Sequence, residues 1–290
     1  MDTEVHTDGA DIADISHRGL AAHLDTHFER RRALKLFGAA GAAGLLALVG
    51  CGGDDKSTTA AESGTSTTGG SSSTTTAGTA AASTAVIPEE TGGPYPADGT
   101  NGPNVLTESG IVRSDITSSF GSMSGTAEGV PLTVELTVLD NANGNTAYAG
   151  AAVYLWHCNR DGKYSLYSQG VTDQNYLRGV QEADSNGKVT FTTIFPAAYD
   201  GRWPHIHFEV YPSLDAATSA SSKITTSQLA MPEDTCNAVY TADGYSASVS
   251  NLAKVSLATD NVFRDGWDTQ VPAITGSVDA GYTATLDVPV

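Results

Sequence analysis

After Val86 the chain alternates apolar and polar side chains, and this period of two limits its fold more than any other feature of the sequence. Leu132, Val134, Leu136 and Val138 alternate with Thr133, Glu135 and Thr137, while Val153, Leu155 and His157 alternate with Tyr154 and Trp156. Lys188 to Thr193 and His205 to Tyr211 are further short runs of β-branched or aromatic residues. Successive side chains of a strand point to opposite faces, so each run can commit one set of residues to a core. The breaks carry turn chemistry at Asp140-Asn-Ala-Asn-Gly144, Asp161-Gly162, Asn186-Gly187 and Asp200-Gly201. Ile274 to Val278 and Tyr282 to Val288 flank Asp279-Ala280-Gly281 as a closing hairpin. No amphipathic pattern after Val86 outlasts two or three helical turns, so residues 86–290 are expected to form an all-β domain, a β-sandwich with long loops.

The preceding residues read as an address and a tether. Glu29 to Lys35 is E-R-R-R-A-L-K, followed by an uncharged, Gly/Ala-rich run from Leu36 to Val49. That run is short of the roughly 20 residues needed to span a membrane, and with arginines in front it suits a twin-arginine export signal over residues 1–50. It ends Leu48-Val49-Gly50-Cys51, small residues before a cysteine, as in a lipoprotein cleavage box. Cys51 would then be the lipidated mature N-terminus, and the protein would sit on the outer face of the bacterial membrane or cell surface, held by lipid alone. Residues 51–85, almost entirely Ser, Thr, Gly and Ala, bury too little apolar surface to offset their ordering entropy and are expected to be a disordered tether. The formal charge is -18, from 15 Lys+Arg against 33 Asp+Glu, and no two basic residues are adjacent after Lys35. A nucleic-acid partner is excluded on that ground, since polyanions are gathered by dense Lys and Arg.

Of the seven histidines only His157, His205 and His207 follow the expected signal. His205 and His207, two apart on a strand, would share one face and could hold a metal ion together. Upstream stand Trp156-His-Cys-Asn-Arg-Asp-Gly-Lys-Tyr164 and Phe191-Thr-Thr-Ile-Phe-Pro-Ala-Ala-Tyr-Asp-Gly-Arg-Trp-Pro-His-Ile-His207. With Thr91-Gly-Gly-Pro-Tyr-Pro96 and Leu177-Arg-Gly-Val-Gln181, and in this order, these motifs resemble the intradiol ring-cleavage dioxygenases. That is the family of catechol and protocatechuate 3,4-dioxygenases, and the likeness is greatest to its exported members. It covers nearly all of Val86 to about Asp234.

The resemblance implies a mononuclear non-haem Fe(III) held by loops of the sandwich, with Tyr164, Tyr199, His205 and His207 as ligands. Fe(III) is a hard cation that favours anionic oxygen, and two tyrosinates would offset much of its charge. It further implies O2 as co-substrate and a catechol-type diol cleaved between its two hydroxyl-bearing carbons to a cis,cis-muconic acid derivative. Tyr199 would act as base as well as ligand, Arg202 would stabilise negative charge developing on the ring, and Gln228 would be a supporting polar residue. Family analogy alone admits a homodimer. The chain departs from the family in Ala197, where a glycine commonly follows the proline, and in Trp203, where a smaller residue is common; Trp203 would either line the pocket or cover a sheet edge. Cys158 and Cys236 would suit a disulfide in an exported protein, closing a loop of about 80 residues worth about 4 kcal/mol if unstrained. A tethered β-sandwich binding module without catalysis is the competing reading, and the presence of both tyrosines, both histidines and the arginine speaks against it.

Overall fold

The structure is a computed structural model describing residues 85–290; the expected signal, Cys51 and all of the tether except Ala85 lie outside the described residues. Among the described residues nine strands form two sheets that pack as a β-sandwich. They are β1 (Pro131–Asp140), β2 (Thr146–Ala147), β3 (Ala152–Trp156), β4 (Arg178–Glu182), β5 (Lys188–Ile194), β6 (His205–Tyr211), β7 (Thr225–Ala230), β8 (Ala273–Ser277) and β9 (Gly281–Pro289). In the first sheet, in the order β2-β1-β9-β8, β5 also pairs with β1; the second has the order β4-β3-β6-β7. Two short helices, α1 (Glu233–Val239) and α2 (Ser246–Leu252), lie in the connection from β7 to β8. Among the described residues no helix is long and apolar enough to cross a membrane.

The two sheets obey the period of two differently. In β1 the alternation appears directly as burial: Leu132, Val134, Leu136 and Val138 are buried, and Thr133, Glu135 and Thr137 are half-buried. In β3, β6 and β7 every residue is buried, because the second sheet is covered on both faces. One face carries Val153, Leu155, Ile206, Phe208, Val210 and Leu229 into the core shared with β1 and β9. The other carries Ala152, Tyr154, Trp156, Val180 and Tyr211 into a second apolar layer built with Ala97, Val105, Leu106, Ile111, Tyr164 and Ala197. Long loops form that second layer and create the setting for the site.

The C-terminal hairpin forms as expected, β8 against β9 from Ala273↔Thr285 to Ser277↔Gly281. Its role is larger than that of a local hairpin, because β9 also runs parallel to β1 from Leu132↔Tyr282 to Leu139↔Pro289. Local turn chemistry in the sequence cannot reveal such a distant parallel partner.

Arg178, at the start of β4 and opposite Trp156, ties the loop layer to the second sheet. Its buried guanidinium donates to the carbonyls of Tyr95 (2.9 Å), Pro96 (3.1 Å) and Ser165 (3.0 Å), to the Ser165 hydroxyl (3.0 Å) and to the Tyr154 hydroxyl (3.1 Å). A buried charge is tolerable when its donors are satisfied in this way.

The disulfide expected between Cys158 and Cys236 is not formed: both are free, buried thiols. Cys158 belongs to the loop-side apolar layer and donates to the Ala197 carbonyl (3.6 Å), whereas Cys236, in α1, belongs to the core between the sheets. Burial pushes the Cys158 thiol up to about 12 and raises that of Cys236 as well, so neither readily becomes the nucleophilic thiolate.

His157 shares the parity of Val153 and Leu155 and is buried away from His205 and His207. Its Nδ1 lies 2.8 Å from the Cys158 carbonyl, which can only accept, so Nδ1 carries the proton and Nε2 accepts from the Thr193 hydroxyl at 2.7 Å. Burial lowers this imidazole to about 4 from an ordinary value of 6.5. The unfolded chain therefore takes up this proton first as the pH falls, and the contribution of His157 to stability, whole above about pH 6.5, is lost toward pH 4, by up to about 3 kcal/mol. Urea midpoints measured across that window should fall with pH, and His157→Gln should flatten the fall; an unchanged slope would contradict the assignment.

Candidate functional site

The site is built on the loop-facing side of the second sheet. His205 and His207 occupy alternate positions of β6, while Ile206 between them enters the core, so both imidazoles project into the loop layer. Pairing places Trp156 of β3 on one side of His207 and Gln228 of β7 on the other. The Trp156 ring stacks on His207 with centroids 4.8 Å apart and planes 3° from parallel. On the loop side the backbone of Gly93 closes over the same imidazole: a Cβ there would lie 3.5 Å from His207 Cε1, and its φ of +68° favours glycine.

Two tyrosines arrive from separate loops. Tyr164 comes from the connection after β3 and Tyr199 from the connection between β5 and β6, and each hydroxyl lies 3.3 Å from His205 Nε2. His207 Nε2 lies 3.1 Å from that same atom. Gly162 lets the two loops meet, since its φ is +77° and a Cβ there would be 3.0 Å from Tyr199 Cβ. Four polar ends from three segments of the chain thus converge on one point. Tyr164, His205 and His207 are buried, and Tyr199 alone is half-buried.

Without a cation the four groups are held neutral. Burial raises the Tyr164 phenol well above its ordinary value, reinforced by Tyr199 beside it. Burial pushes the Tyr199 phenol up to about 12, against the pull of Arg202. Both imidazoles are lowered well below the ordinary range, His205 by burial and Arg202, His207 by burial, His205 and Arg202. The Nδ1 of His205 must donate to the Trp203 carbonyl at 2.5 Å, so its Nε2 presents a lone pair to the convergence point. His207 Nδ1 is buried without a partner, and the Trp156 stack and Gly93 constrain that ring instead. Two neutral imidazoles and two phenols form a donor set for a hard, highly charged cation, which would supply the positive charge needed to ionise the phenols. Among the described residues no group of three or more His, Cys, Asp or Glu is placed to hold a metal ion.

Arg202 stands beside these groups. Its Nη2 donates to Gln228 Oε1 (2.7 Å) and its Nε to Asp260 Oδ2 (2.9 Å). Burial opposes its charge, but Tyr199 and Asp260 hold the guanidinium above its ordinary value. Gln228 is wholly buried, and its amide links Arg202 to the Thr91 carbonyl (2.8 Å). Trp203 lies in the core between the sheets, with its indole N–H donating to the Met231 carbonyl (2.9 Å).

Sequence reasoning missed the contribution of the segment after β7, which fastens the 195–203 loop along its length. Tyr245 and Tyr240 donate their hydroxyls to the carbonyls of Phe195 (2.8 Å) and Pro196 (3.1 Å). From α2, Ser248 accepts the Ala198 N–H (3.1 Å) and Asn251 donates to the Ala198 carbonyl (3.0 Å). Asp260 then takes Arg202 and the Trp203 N–H (2.7 Å) together. The sequence around Asp260, Ala258-Thr-Asp-Asn261, reads only as a polar turn, with nothing to signal a partner 58 residues away.

Comparison with known proteins finds likenesses in both sequence and fold. Residues 101–236 match the family model described as Dioxygenase. Chlorocatechol 1,2-dioxygenase of Rhodococcus opacus is 36% identical over 55 residues, which is 19% of this chain and only 21% of that protein. An intradiol ring-cleavage dioxygenase from Tetranychus urticae has a similar structure, with a TM-score of 0.56 and 25% identity, covering 71% of this chain and 94% of that one. In sequence the chain is similar to dioxygenases over residues 101–236, and in structure it is similar to an intradiol ring-cleavage dioxygenase.

Proposed function

We propose that this protein is a non-haem Fe(III) intradiol dioxygenase that opens catechol-type aromatic diols between the two hydroxyl-bearing carbons, consuming O2 and yielding cis,cis-muconic acid derivatives. The observation that carries the reading is the convergence of Tyr164, Tyr199 and His207 on His205 Nε2 within 3.3 Å. Tyr164, Tyr199, His205 and His207 would hold the metal. Bound there, a ferric ion supplies the Lewis acidity that ionises the phenols and the redox partner that makes a catecholate reactive toward oxygen.

The chain's own residues divide the remaining work. Tyr164, His205 and His207 are buried and fixed by packing, whereas half-buried Tyr199 can swing outward. Its Oη, once ionised by a bound cation, would be the natural acceptor for a proton from the incoming diol, because burial favours the protonated form. Arg202 has Nε and Nη2 engaged, leaving Nη1 without a protein partner among the described residues and able to face negative charge gathering on the ring. Trp156 and the Gly93 backbone hold His207 in place and exclude water from that side.

The same reading assigns residues 1–50 to an export signal, Cys51 to lipidation and residues 51–85 to a tether, so the domain 86–290 would meet its substrate outside the cell membrane. Basic residues ahead of a short apolar run and the Leu48-Val49-Gly50-Cys51 box support this assignment.

Two experiments check the proposal. Tyr164→Phe and Tyr199→Phe should each lower oxygen uptake with catechol by more than about 100-fold and deplete bound iron, while far-ultraviolet circular dichroism stays native. Retained iron and full turnover in both variants would refute the ligand set. Cys51→Ser should move the protein from the membrane fraction to the soluble one, and an unchanged distribution would refute the lipid anchor.

A further inference from the structure

We propose that Asp260 is a positioning residue for Arg202, so that the segment from α1 to Asp260 is part of the reactive site as well as of the sandwich. The inference rests on the dioxygenase reading and deepens it. Asp260 lies beyond residues 101–236, the part matched by the family model.

Asp260 is fully buried, and both carboxylate oxygens are in use. Oδ1 accepts the backbone N–H groups of Val262 (2.8 Å) and Phe263 (3.2 Å), which fixes the carboxylate to its own turn. Oδ2 accepts Arg202 Nε (2.9 Å) and the Trp203 N–H (2.7 Å), which fixes the guanidinium and the backbone entering β6 as one unit. Gln228 holds the opposite edge through Nη2 and is itself held by the Thr91 carbonyl. A guanidinium is planar, so two engaged edges set where its third nitrogen lies. Neutral asparagine could serve the turn or Arg202 and Trp203 with one oxygen, but not both pairs.

A carboxylate that only stabilised the fold would affect melting and leave turnover per iron intact; one that positions Arg202 makes a different prediction. In the full chain, Asp260→Asn should keep iron content and the resting visible spectrum but lower kcat per iron by about 10- to 100-fold, with a smaller change in KM. In the metal-free full chain, the Arg202 Nε–H signal in a nitrogen-15 NMR spectrum should be exchange-protected in the wild type and lose that protection in Asp260→Asn. Arg202→Ala should lower kcat at least as far, and Asp260→Asn added to it should cost little more, because the two act as a unit. Asp260→Glu, which keeps the charge but displaces it by a methylene, should fold and lose kcat in the same direction, and it serves if the asparagine variant does not fold.

Unchanged kcat per iron in Asp260→Asn and Asp260→Glu, or fully multiplicative losses in the double variant, would overturn the proposal while leaving the dioxygenase reading intact. A wild type that binds iron but cleaves no catechol would overturn that reading, and this proposal with it.

Discussion

The site depends on the burial of both faces of β6. A strand with one wet face would leave alternate residues in solvent, where two imidazoles ordinarily titrate near neutral pH and are free to turn. Here Ile206, Phe208 and Val210 anchor the strand in the core between the sheets, and the loop layer seals the other face, where His205 and His207 project. Trp156 reaches these imidazoles from the neighbouring strand β3, and Tyr164 and Tyr199 reach them from loops that pack on the same apolar layer, while the Gly93 backbone closes over His207. Arg178 makes that layer definite by ordering the carbonyls of Tyr95, Pro96 and Ser165 around one guanidinium.

Burial also sets the chemistry. In a dry cluster the phenols hold their protons and the imidazoles remain neutral, so the donors stay poised until a strong positive charge arrives. Arg202 is a fixed positive charge beside them, paired with Asp260. Of the four groups Tyr199 alone is half-buried, and in the proposed reading it is the one that would give way to a substrate oxygen.

Much of this was legible in the sequence, for physical reasons specific to each element. The alternation of Leu132 to Val138 appears unchanged as burial along β1, and the H-x-H parity alone puts His205 and His207 on one face. The aromatic and β-branched runs marked β3, β5 and β6, and Asp279-Ala280-Gly281 marked the final hairpin. Features set by distant contacts were not legible. These include the parallel pairing of β9 with β1, the placement of Trp203 in the core, and the fastening of the 195–203 loop by Tyr240, Tyr245, Ser248, Asn251 and Asp260. Sequence spacing cannot report such contacts, because short polar side chains look alike whether they end in solvent or on a buried carbonyl. The cysteine pairing failed for a related reason: compartment suggests that thiols could be oxidised, but only packing decides whether they meet, and Cys158 and Cys236 lie in different apolar layers.

The central claim is that Tyr164, Tyr199, His205 and His207 hold a ferric ion to which a diol can bind. A visible absorption spectrum of the full chain, with iron analysis, taken before and after catechol is added without oxygen, tests it most directly. The account predicts bound iron and a tyrosinate-to-Fe(III) charge-transfer band that shifts when catechol is added. A protein that stays colourless after reconstitution with Fe(III), or a band indifferent to catechol, would contradict it.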